Sequence, residues 1–189
     1  MSGDTSWLVD GWDLGDIWCL TFVKGTDPST ALLRIGADQK TVRPQTLEQL
    51  MDGDLSPDKI VAGDFGDWTV IFQVNGWTAD SSDVLARLAQ NTTAIVVLNH
   101  PYASSRFVYA VNSEIITNFD PISPQQRYGS DPDHLLTEMR RADINPNRQP
   151  GGPGKAAGVR ELMVLAHQLT GIILTPDIMN VVLLGATLA

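Results

Sequence analysis

Cys19 and His100 are the residues of this chain whose types could supply a nucleophile and its base, provided that the strands carrying them lie side by side. The setting of Cys19 argues against that chemistry. It stands inside the apolar run Trp18-Cys19-Leu20-Thr21-Phe22-Val23, where a free thiol behaves as a small, inert hydrophobe. Being alone, Cys19 forms no intramolecular disulfide and no cysteine-based zinc site. His100, His134 and His167 lack the i, i+4 or short-loop spacing that brings two histidines onto one zinc ion. Gly151 to Lys155 superficially offers a phosphate loop, yet Gln149 and Ala156 stand where a Walker A loop needs Gly and a hydroxyl residue, and no strand leads in. Asp52, Asp54 and Asp58 are spaced like part of a calcium loop, but Pro57 replaces the required Gly and the closing Glu is missing. The sequence therefore assigns no catalytic residue, no metal ligand and no cofactor.

Recognition chemistry is better represented. The 189 residues carry a net charge of −9, and residues 1–67 hold 12 acids against 5 bases, a net of −7. Such a balance disfavours binding to phosphate backbones, which needs clustered Lys and Arg, and suits a basic protein partner. Trp18 and Trp68 fall in strands, whereas Trp7, Trp12 and Trp77 fall in polar surroundings where Trp serves as an interface anchor. Trp12, Asp13, Asp16, Asp64, Asp67 and Trp77 are accordingly the candidate partner contacts. A pocket between the sheet and the C-terminal helices would instead draw on His100, Arg106, Tyr109 and Glu114.

The elements that must position these side chains are best defined at Ile60 to Val74. Gly66-Asp67 is a two-residue loop of the Gly-first kind, so Phe65 faces Trp68, Gly63 faces Val70 and Val61 faces Phe72, with Asp64 against Thr69 on the other side. Trp18 to Val23 and Ala94 to Asn99 read as buried strands. Asp27-Pro28-Ser29 starts a helix that Gly36 ends, Thr46 to Met51 forms a short one, and Ser81-Ser82-Asp83 starts another. Phe107 to Val111 and Ile115 to Phe119 pair through a two- or three-residue loop; the three-residue register sets Tyr109 against Thr117 and Phe107 against Phe119.

This order predicts an α+β fold: a mainly antiparallel sheet with a ferredoxin-like β-α-β-β-α-β core, an added hairpin strand and C-terminal helices. Residues 1–121 would hold the sheet with an N-terminal arm. Residues 122–189 would form a helical extension packed on the same domain, with a mobile Pro/Gly linker near 145–155. Helices are expected over 134–142 after Asp131-Pro132-Asp133, over 156–169 and from Ile178 to Leu188, the last apolar on nearly all sides and therefore either core or an assembly contact.

Trp18 to Gly25, then Gly66-Asp67-Trp68-Thr69, then Gly129-Ser130-Asp131-Pro132, then Leu169-Thr170-Gly171 with Leu174-Thr175-Pro176-Asp177, together resemble a family of uncharacterised actinobacterial proteins, a domain of unknown function. The resemblance runs from about Trp7 to Leu184 and departs in the segments 145–155 and 52–58. It implies no activity and no site residues. The expectation is a small acidic cytoplasmic protein-binding module without catalysis, by analogy with immunity and inhibitor proteins. The alternatives are a small-molecule sensor or enzyme and a subunit of a larger assembly. The opening residues are acidic, unlike a signal peptide, and no apolar run approaches the roughly 20 residues of a membrane span.

Overall fold

The computed structural model describes residues 14–53, 55–152 and 154–189; Trp7, Trp12, Asp13 and Asp54 lie outside them. The strands are β1 (Trp18–Lys24), β2 (Arg43–Gln45), β3 (Lys59–Phe65), β4 (Trp68–Val74), β5 (Thr93–Asn99), β6 (Arg106–Val111), β7 (Glu114–Phe119) and β8 (Leu183–Thr187). The α-helices are α1 (Pro28–Ile35), α2 (Leu47–Met51), α3 (Ser82–Leu88), α4 (Leu136–Arg141) and α5 (Val159–Thr170). One antiparallel sheet of eight strands runs in the order β2-β8-β3-β4-β1-β5-β6-β7, so the fold is α+β. Within it β3, β4, β1 and β5 stand side by side. The sheet continues past these four at both margins, through β6 and β7 on one side and β8 and β2 on the other.

The β3–β4 hairpin has the expected register: Phe65 opposes Trp68, Asp64 Thr69, Gly63 Val70 and Val61 Phe72. Gly66 has φ +75°, the conformation that its place in the loop requires. The β6–β7 hairpin contains both registers considered for it. Val111 opposes Glu114 across a two-residue turn, whereas Tyr109 opposes Thr117 and Phe107 opposes Phe119; a bulge beside Tyr109 and Ala110 absorbs the difference.

Helix starts follow their side chains. Asp27 accepts from the Thr30 N–H at 3.0 Å, and Thr46 and Gln49 form a capping box on α2. Both α1 and α3 cover one face of the sheet, where Leu32, Ile35, Val84, Leu85 and Leu88 pack on Cys19, Val23, Ile71, Val96 and Val108. On the other face Leu47, Leu50, Met139, Leu162 and Met163, from α2, α4 and α5, pack on Leu20, Phe22, Phe72, Ile95 and Phe107. Burying each large apolar side chain contributes about 1.5–3 kcal/mol, so both layers are needed.

The C-terminal segment corrects an expectation. Ile178 to Leu188 is not a helix: a 3₁₀ turn at Pro176–Asn180 leads into β8, which lies between β2 and β3 inside the sheet. Its apolar residues serve both faces of the sheet, Leu183 in one core layer and Ala186 in the other. The helix expected over 156–169 is α5, ended by Gly171 at φ +75°. Two arginines bond between the start of the 145–152 stretch and the chain before it. Arg127 Nη1 donates to the Pro146 carbonyl at 2.8 Å, and Arg148 Nη1 to the Ile122 carbonyl at 2.7 Å. Among the described residues no helix is long and apolar enough to cross a membrane.

Candidate functional site

Continuing the β3–β4 register one turn beyond its last pair, Ile60 with Gln73, brings Pro57 and Asp58 alongside Asn75 and Gly76. Gln73 is, with Thr69, one of two polar residues in β4, and it is only 3% exposed. Its Nε2 donates to the Pro57 carbonyl at 2.6 Å and to Thr78 Oγ1 at 2.8 Å, while its Oε1 accepts from the Thr78 N–H at 2.8 Å. Gly76 allows this approach: a Cβ there would lie 2.4 Å from Gln73 Nε2 and 2.7 Å from the Pro57 oxygen. Asn75, at φ +54°, turns the chain away from β4.

The result is a cleft of about 670 Å³ beside α3, lined by Pro57 and Asp58 on one wall and by Trp77, Thr78, Asp80, Ser81 and Val84 on the other, with Gln73 and Asn75 between. Trp77 is 47% exposed, whereas Trp18 and Trp68 are buried in the core as their strand positions require. The Trp77 ring meets His100 edge-on, with centroids 5.1 Å apart. Behind Trp77 and Asp80 a smaller hollow of about 200 Å³ is bounded by Leu98, His100, Ser104 and Arg106. His100 Nδ1 is buried there without a partner among the described residues, and the His100 N–H donates to Ser105 Oγ at 3.2 Å.

Four carboxylates gather at this end of the sheet, against the guanidinium of Arg106. Arg106 Nη1 lies 3.2 Å from Asp80 Oδ2. Ser104 Oγ donates to Asp120 Oδ2 at 2.6 Å. Tyr102 donates to Asp16 Oδ2 at 2.5 Å, and that neighbouring carboxylate holds the Tyr102 hydroxyl above its ordinary pKa. The Asp58 carboxylate, exposed on the cleft wall, has no hydrogen-bond or ionic partner among the described residues. Asp16 reaches this end because the Asn75 N–H donates to the Ile17 carbonyl and Asn99 Nδ2 to the Asp16 carbonyl.

The four candidate partner contacts among the described residues do not form one face. Asp16 and Trp77 stand at the cleft end. Asp64 and Asp67 stand at the β3–β4 turn, the length of β4 away, about 20 Å for seven residues. Lys24 lies beside them, its Nζ 5.8 Å over the Trp68 ring. The pocket candidates also divide. His100 and Arg106 line the same hollow, but Tyr109 is on the opposite face, stacked on His134 with centroids 5.5 Å apart, and Glu114 is exposed at the turn of the β6–β7 hairpin. The cleft thus opens on the α3 side and not between the sheet and the C-terminal helices.

Cys19 lies in β1 and His100 just past the end of the neighbouring strand β5. Cys19 is 1% exposed, and burial pushes its thiol up to about 12, with Asp80 adding to the rise against a weak bond to Thr21. No thiolate forms at neutral pH, so Cys19 is no nucleophile. Sequence reasoning missed Gln73, Asp80 and Tyr102, and took up Asp58 only with the calcium loop that it rejected. The hairpin register, carried past Ile60, was the signal that could have found the first and the last.

The model of a family of unknown function matches residues 2–182 of this chain. No curated protein and no solved structure matches it.

Proposed function

The chain belongs to DUF6461, a family of unknown function that brings no activity with it, and from the cleft itself we propose a cytoplasmic protein-binding module for a basic partner, of the immunity or inhibitor kind. One observation carries this reading: a half-exposed tryptophan forms the wall of a 670 Å³ cleft whose rim is acidic. Exposed Trp at the centre of a contact is a favoured anchor, with truncation costing about 2 kcal/mol or more. Asp16, Asp58, Asp80 and Asp120 outnumber Arg106 there, and the chain as a whole is at −9, which steers a cationic partner toward this end. The lone buried cysteine fits a reducing compartment.

The test is affinity purification of the tagged protein from its native cells at low and high salt. A stoichiometric basic chain, retained at about 50 mM salt, released near 1 M and absent from a Trp77→Ala preparation, is the expected result. A partner that survives high salt and ignores Trp77→Ala would overturn it. The search would then move to the apolar groove beside Pro44, Val181 and Val182, and to a permanent assembly.

A further inference from the structure

We infer that the cleft is a guanidinium site, filled by an arginine side chain that the basic partner inserts between Asp58 and Trp77; this deepens the binding-module reading and rests on it for the source of the arginine. Three features of the walls select the cation. Trp77 leaves nearly half of its surface to solvent, and an indole face is the best of the aromatic platforms for a cation. Asp58 lines the same cleft on its Pro57 wall, and its exposed carboxylate has no partner among the described residues, so its charge is not already spent. Asp80, the other carboxylate in the lining, is already held by the chain's own Arg106, with Nη1 3.3 and 3.2 Å from its two oxygens. That pair leaves Asp58 as the carboxylate to meet an incoming cation.

A guanidinium suits the place better than an ammonium. It is planar, so it lies flat on the indole while its edge donates two bonds to one carboxylate, and it sheds its hydration shell more readily. Asn75 and Ser81 line the same cleft and supply further polar atoms for its remaining N–H groups. The anchoring is rigid, because Gln73 fixes both walls through Pro57 and Thr78. An anion is disfavoured: Asp58 and Asp80 line this cleft, and Asp120 lies beyond the Arg106 hollow.

The probe is Nα-acetyl-arginine amide, titrated into the full chain while the indole N–H signal of Trp77 is followed by NMR, with the lysine and citrulline analogues alongside. Saturable binding in the millimolar range is expected for arginine, about 3-fold weaker for lysine and absent for the uncharged citrulline. Asp58→Asn and Trp77→Ala should each weaken it by about 5-fold, and Asp64→Asn at the other end should change nothing. Citrulline binding equal to arginine, or arginine binding untouched by Asp58→Asn, would overturn the assignment. Should the probe fail while a salt-sensitive partner is still lost with Trp77→Ala, the guanidinium site falls and the binding module stands. Should the probe bind while no protein partner is recovered, the guanidinium site stands and the module falls.

Discussion

Gln73 Nε2 and the Pro57 carbonyl oxygen lie 2.6 Å apart, a bond that joins the strand β4 to the chain entering β3 across the floor of the cleft. The same amide holds Thr78 by two bonds, so one buried side chain fixes both walls. Replacing Gln73 by Leu removes three hydrogen bonds and leaves the Thr78 N–H and the Pro57 oxygen to find other partners. The expected loss is about 2–4 kcal/mol in urea unfolding, at the upper end because the orphaned groups are partly buried. A Gln73→Leu protein within 1 kcal/mol of the parent would show that the strut is not needed.

Gly129 has φ +139°, and a Cβ there would lie 2.2 Å from the Ile116 carbonyl oxygen, part of the backbone of β7. The chain on either side is docked on that strand's free margin: Tyr128 and Asn118 exchange N–H and C=O bonds, and Ser130 and Asp131 donate to Ile115 and Ile116. This docking covers an edge that would otherwise offer itself to another sheet. Gly129→Ala must displace backbone and not a side-chain tip, so it should cost about 3 kcal/mol or more and raise aggregation. The check is the thermal midpoint together with light scattering.

How far the sequence foretold all this depends on how local the signal is. Gly66-Asp67 states a loop length, and loop length sets register, so every pair from Phe65–Trp68 to Val61–Phe72 could be written down in advance. Asn112-Ser113 states a turn but not the extra residue that the bulge places beside Tyr109 and Ala110, because a bulge answers to sheet twist and neighbours outside the hairpin. The run from Ile178 to Leu188 is apolar on nearly all sides, a pattern shared by buried helices and buried strands; its length favoured helix, while Val181, Val182 and Thr187 favoured strand. Trp77 was legible as a tryptophan outside the core because it lies just past a strand end. Asp58, in the lining of the same cleft, was not, since bringing it alongside requires trusting the register beyond the last strand pair.

Cys19 makes alkaline pH destabilising in a specific way. Its thiol has an ordinary value of 9.0 and is pushed up to about 12 by burial. The unfolded chain therefore releases the proton first. Stability is full below pH 9, falls as pH rises from there toward 12, and the slope approaches about 1.4 kcal/mol per pH unit. Between pH 8 and pH 10 the parent should lose about 1.4 kcal/mol more than Cys19→Ala, in which the titrating group is gone. Matching slopes in the two proteins would contradict the burial argument. In the same samples a thiol reagent at pH 8 should label Cys19 no faster than the chain unfolds.

The last strand separates a structural from an associative role for the C-terminal run. In β8, Leu183 is buried at 6% exposure, whereas its neighbour Val182, just before the strand, is 68% exposed. The strand pairs with β2 and β3, Leu188 N–H donates to the Asp58 carbonyl at 2.7 Å, and Asp38 N–H to the Thr187 carbonyl at 2.8 Å. Leu183→Asp buries a carboxylate beside Gly63, whose absent Cβ already leaves only 2.6 Å to Leu183 Cδ2. That substitution should cost about 3–5 kcal/mol or prevent soluble expression. Val182→Asp should fold normally, within about 0.5 kcal/mol of the parent, because its side chain stays in water. If Val182→Asp instead keeps its stability but loses a partner or a dimer by sedimentation, the outward side of this run is an interface. If both substitutions are neutral, β8 is dispensable and the sheet must close on β3 without it.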